Sequence, residues 1–215
     1  MLEGKTPSAR QLAALEQAIR LQRPAPCCIA NGSTPLPDGG NWLQAQWTSF
    51  QPMLQRLQGS VARLERIDDP TPSVTTGRTL LGTGFLVAAD VLLTALHVVD
   101  ALSFGTRRLE RGQAMADFSG YFGVGGRDLR EVIEVVEFDP SLDLALLRIT
   151  PVELNDSRPI MLPGELAVTV GQPVCVVGYP LDDPRNARAL ISILFENRFG
   201  VKRAAIGEID RKSVV

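Results

Sequence analysis

The stretch GTGFLVAADVLLTALHVV runs from Gly82 to Val99. With Leu80 and Leu81 before it, it is apolar enough to raise the question of a membrane-spanning helix. Its details answer otherwise. Gly82, Gly84, Asp90 and His97 interrupt it, and its β-branched segments break at Ala89-Asp90. A spanning helix needs about 20 predominantly apolar residues in a row. Two buried strands with a turn between them fit the pattern better. Gly84 to Ala88 and Val91 to Ala95 are therefore expected to pair as a hairpin around Asp90.

Working outward, the same texture recurs. Val61 to Ile67 alternates like a half-buried strand, and Val132 to Phe138 and Leu144 to Ile149 give two more, broken at Asp139-Pro140. Further strands are expected at Pro173 to Val177, Ala189 to Phe195 and Val201 to Ile209. Short strands at this spacing, punctuated by 15 prolines and 19 glycines, predict a mainly β protein, a barrel or a sandwich. Before Gly59 the chain differs. Ser8 is placed to cap a helix that carries Leu12, Leu15 and Ile19 on one face to about Gln22, where Arg23-Pro24 stops it. Pro24 to Gly40 reads as loop. Asn41 to Gln58 reads as a second helix, interrupted by Pro52. Its Trp42, Trp47, Phe50, Leu54 and Leu57 are expected to pack against the next domain.

Composition narrows the function classes. A net charge of −2 argues against a general nucleic-acid binder. Cys27, Cys28 and Cys175 are an odd set with two adjacent members, so they offer no disulfide framework. His97 is the only histidine, which leaves no zinc-ligand spacing; no metal and no cofactor are expected. Free thiols and a Met1–Arg20 segment broken by Arg10, Glu16 and Arg20 point to a reducing, cytoplasmic location without a signal peptide.

Three segments carry the chemistry, in fixed order. GTGFLV with LLTALHVV contains His97. FDPSLDLALL, from Phe138 to Leu147, contains Asp143, 46 residues after His97. VCVVGYP follows, from Val174 to Pro180. A serine hydroxyl is a weak nucleophile until a base takes its proton. An imidazole, with a pKa of about 6.5, suits that task near neutral pH. A buried carboxylate must then hold the second ring nitrogen and stabilise the imidazolium. His97 is the candidate base and Asp143 its partner. Asp100 and Asp139 read as surface and turn residues, and Gly82 and Gly84 as devices for close strand approach.

Together these segments resemble the bacterial trypsin-like serine peptidases of the chymotrypsin superfamily, over roughly Gly59 to Val215. The resemblance implies a chymotrypsin-like double β-barrel. Residues 1–58 would be a helical N-terminal extension, 59–151 the first barrel with the histidine and aspartate, and 152–215 an incomplete second barrel. It also implies a His-Asp-Ser triad and a Gly-x-Ser-Gly segment after the strand at Val201. No such segment occurs. Ser119 lies before Asp143, Ser192 falls within an apolar pattern, and Ser213 has no neighbouring glycine. The expectation is therefore a fragment of a serine endopeptidase, inactive as it stands, whose nucleophile lies beyond this chain. The alternatives are a pseudopeptidase binding module and one half of a split peptidase. The partners expected are a protein or peptide substrate and a partner protein docked on the N-terminal extension, with no nucleic acid and no membrane.

Overall fold

The computed structural model describes residues 27–29, 41–68, 77–120, 128–153, 159–162, 164, 169–181, 192 and 195–209. Its elements, in chain order, are β1 (Cys27–Cys28), α1 (Asn41–Leu57), a 3₁₀ turn (Gln58–Ser60), β2 (Val61–Ile67), β3 (Arg78–Ala88), β4 (Val91–Ala95), α2 (Leu96–Leu102), β5 (Ala114–Asp117), β6 (Leu129–Asp139), β7 (Leu144–Ile149), β8 (Pro173–Gly178) and β9 (Arg203–Glu208). The protein is mainly β. The expected helix at Ser8–Gln22 and Ser213 lie outside the described residues.

Six strands close into an antiparallel barrel in the order β2-β3-β4-β7-β6-β5, with β5 returning to β2. Alternation produces this. Along β3, β4 and β7 alternate side chains point inward, so Leu86, Leu92, Leu147 and Ile149, with Leu64 of β2 and Val132 of β6, are fully buried in one core with Val98, Val99 and Leu102 of α2. Burial of each such side chain stabilises the fold by about 1.5–3 kcal/mol relative to exposure. The apolar stretch at Leu80–Ala95 is thus the β3–β4 hairpin. Among the described residues no helix is long and apolar enough to cross a membrane.

The remaining strands form a three-stranded antiparallel sheet in the order β1-β9-β8. Its outer strand comes from far away in the chain: Cys27 pairs with Ala204 and Cys28 with Arg203. Helix α1 runs through Pro52 without a break and covers one face of this sheet. Trp47, Leu43 and Leu54 are buried there with Ile29, Ala204 and Ile206, forming a second core. The aromatic helix therefore does pack on a sheet, and the sheet is the small one. The strand expected at Ala189–Phe195 is not formed at its described residues: Ser192 and Phe195 are helical. The chain turns there because Asn197 and Arg198 donate back to the carbonyls of Ser192 and Phe195, and Glu196 and Asn197 adopt positive φ.

A polar seam joins barrel and sheet. The Tyr179 backbone N–H donates to Thr83 Oγ1 at 3.0 Å, and Lys202 N–H donates to the Gly120 carbonyl at 2.8 Å. Arg63 reaches across to the Gly200 carbonyl at 2.8 Å while it pairs with buried Asp117. The buried Lys202 ammonium donates to the carbonyls of Gln58 and Phe118 and faces the Tyr179 ring. Gly120 must lack a side chain, since a Cβ there would lie 2.7 Å from the Tyr179 ring.

Candidate active site

The strand register brings the two candidate residues together. Ala95, the last residue of β4, is paired with Leu144, the first of β7, and Leu144 is also paired with Asp139 at the end of β6. One residue further out on each side lie Leu96 and Asp143. His97 is the second residue of α2, which starts where β4 stops; it sits on a helix and not on a strand end. Glycine makes room for that helix. A Cβ on Gly82 of β3 would come within 2.6 Å of Val98 Cγ2, so the bare backbone lets α2 settle against the barrel.

Asp143 grips the start of α2 at three points, two of them on His97. Its carbonyl accepts from Leu96 N–H at 3.0 Å. One carboxylate oxygen accepts from His97 N–H at 2.9 Å, and the other lies 2.6 Å from His97 Nδ1. A residue in ordinary extended conformation could not present its carbonyl and both carboxylate oxygens to one helix start. Asp143 does so with φ of +52°, in the left-handed region that Asp tolerates better than most residues. The turn before it is shaped by Asp139, whose Oδ1 accepts from Ser141 N–H, Ser141 Oγ–H and Leu142 N–H. Asp139 is thus a turn residue, as its sequence context suggests.

The electrostatics follow from these bonds. The hydrogen bond from the His97 ring, then that from His97 N–H, holds the Asp143 carboxyl below its usual range. An ionised carboxylate only accepts, so Nδ1 carries the proton, and in the neutral imidazole the lone pair is on Nε2. The triad logic expects a buried carboxylate, and here the structure differs. The His97 side chain is 73% exposed and that of Asp143 53%. The site is an open imidazole–carboxylate pair.

Among the described serines, Ser119 is engaged with other partners. Ser119 Oγ donates to Asp117 Oδ1 at 2.7 Å and accepts from Asp128 N–H. Cys175 packs on the second core, where burial pushes its thiol up to about 11. Among the described residues no group of three or more His, Cys, Asp or Glu side chains gathers to hold a metal.

Comparison with known proteins agrees with the geometry. The sequence profile of the trypsin-like peptidase domain family matches residues 82–211, more than half of the chain. It covers β3 to β9, and so both His97 and Asp143. No curated protein matches the chain.

Proposed function

This chain belongs to the trypsin-like peptidase family, and we propose that it carries the general-base half of a serine endopeptidase. The observation that carries the reading is the hold of Asp143 on the start of α2, through Leu96 N–H, His97 N–H and His97 Nδ1, with the His97 side chain 73% exposed. The nucleophile belongs to a Gly-x-Ser-Gly segment outside these 215 residues, since no serine within them stands in that setting.

The chemistry then runs as follows. His97 Nε2 takes the serine proton as the hydroxyl oxygen attacks the carbonyl carbon of a peptide bond. Asp143 stabilises the resulting imidazolium and keeps the ring in the Nδ1–H tautomer. The imidazolium returns its proton to the leaving amine, and an acyl-enzyme remains. A water molecule, deprotonated by the same Nε2, releases the acid and restores the serine. The substrate class is a protein or peptide chain.

The test uses a polypeptide that continues past Val215 in the same reading frame. It should cleave an unstructured protein at neutral pH. His97→Ala should abolish cleavage, and Asp143→Asn should lower turnover by about 10⁴ through the wrong tautomer. Cleavage that survives His97→Ala would overturn the reading.

A further inference from the structure

The open dyad raises a question of precision. Catalytic groups lose on the order of a hundredfold in rate when displaced by about 1 Å. Side chains as exposed as His97 and Asp143 have little packing to hold them, so the two elements that present them must be fixed relative to one another. Backbone bonds from α2 to Asp143 do part of this. A second tie lies outside the dyad.

Arg107 follows α2 in a tight turn. Its N–H donates to Ser103 Oγ at 2.9 Å, and that hydroxyl donates to the Val99 carbonyl of α2 at 2.7 Å. The residue takes φ of +55°, which aims its side chain back across the turn. The edge of its guanidinium pairs with Asp100, Nε to Oδ1 at 2.8 Å. Its face covers the Phe138 ring at 4.7 Å. Asp100 stands one helical turn after His97. Phe138 directly precedes Asp139, whose carboxylate shapes the turn that ends on Asp143.

We infer that Asp100, Arg107 and Phe138 form a strut that positions His97 against Asp143, with Arg107 as its central positioning residue. The inference rests on the catalytic reading above. It closes a ring of contacts: His97 to Asp100 along the helix, Asp100 to Arg107 to Phe138 through the strut, then through the Asp139 turn to Asp143 and back to His97. A planar guanidinium is suited to the place, because it offers an edge to a carboxylate and a face to a ring at once. A lysine offers only a point charge. Asp100, which the sequence presents as a surface residue, acquires a role through its partner.

The single histidine gives a direct readout in the full 215-residue chain. Ring ¹⁵N shifts of His97 report which nitrogen bears the proton in the neutral form. The wild-type chain should show the Nδ1–H tautomer, and Asp143→Asn should displace it. Arg107→Gln and Asp100→Asn should each move the ring signals part of the way toward those of Asp143→Asn, with the remaining amide spectrum unchanged. The double variant should move them no further than either single, since the two residues act as one unit. Arg107→Lys should fall between Arg107→Gln and wild type. In the longer, active polypeptide Arg107→Gln should lower kcat by about ten- to a hundredfold with KM unchanged. Ring signals in Arg107→Gln identical to wild type, in a protein where Asp143→Asn does move them, would overturn the strut and leave the dyad intact. Signals that ignore Asp143→Asn as well would remove the catalytic reading and the strut with it.

Discussion

The barrel and the small sheet use strands of similar make, yet they treat strand edges differently. In the barrel every strand is paired on both sides, because β5 returns to β2. The small sheet is open. One edge is covered by a two-residue strand drawn from the N-terminal region, and β8 is paired only to β9 among the described residues. Closure removes the exposed row of backbone donors and acceptors that makes an edge strand prone to association. The dyad belongs wholly to the closed region. His97 and Asp143 are delivered by β4, β6 and β7, and nothing from the small sheet touches either of them in the bonds described above. The two regions also have separate apolar cores and meet through a polar seam. This division teaches how each region is held: the barrel builds the His97–Asp143 pair from its own elements, while the sheet depends on a long-range clamp.

The largest expected effect tests that separation. Trp47 lies in α1 and is buried in the second core, so in a Trp42→Phe background its fluorescence reports on the small sheet. Leu54→Ala should destabilise the second core by about 2–5 kcal/mol. The denaturant midpoint seen by fluorescence of Trp47 should fall, while the barrel, followed by hydrogen exchange of β4 and β7 amides, should hold. A single coincident transition would show that the two cores unfold as one unit.

A middling effect is expected on the barrel side. Gly82→Ala puts a methyl against Val98, and overpacking of this kind costs about 1–3 kcal/mol. Because Val98 follows His97, the His97 ring signals should shift while the fluorescence midpoint stays. Unchanged ring signals would show that α2 accommodates the methyl without moving His97.

The smallest effect concerns the seam. Burial drives the Lys202 ammonium down to about 7 from 10.5, with Asp117 opposing the fall. Between these values the unfolded chain holds a proton that the folded protein has released. Stability should therefore rise with pH from about 7 upward, by at most about 1.4 kcal/mol per pH unit. Above pH 9 the trend is countered by Cys175, whose thiol keeps its proton to about 11 when folded. Thermal unfolding between pH 7 and 9 should show the rise, and Lys202→Met should flatten it. A rise that persists in Lys202→Met would assign it to another group.

The same contrast explains what was legible in the sequence. β2 and the β3–β4 hairpin were readable because alternation and a polar turn are local signals. The dyad was readable from LLTALHVV and DPSLDLALL, which place the two residues just beyond the ends of β4 and β7, strands that the barrel makes neighbours. Other features were hidden. β5, Ala114–Asp117, is four residues of small or flexible side chains and carries no strong strand signal. The helix at Leu96–Leu102 was masked by Val98-Val99, whose branched side chains favour strands; the core holds them in a helix instead. β1 lies in a proline-rich stretch, and only its distant partner β9 makes it a strand. Exposure of the dyad could not be read at all, since it depends on how segments distant in sequence pack around it.

The central claim is that the barrel holds a competent base for a serine that these 215 residues do not contain. Fluorophosphonate labelling tests it most directly, since the probe reacts only with a serine activated by such a base. The account predicts no labelling of the 215-residue chain. It predicts labelling of a polypeptide that continues past Val215 in frame, lost on His97→Ala. Robust labelling of the 215-residue chain at one of its own serines would contradict it.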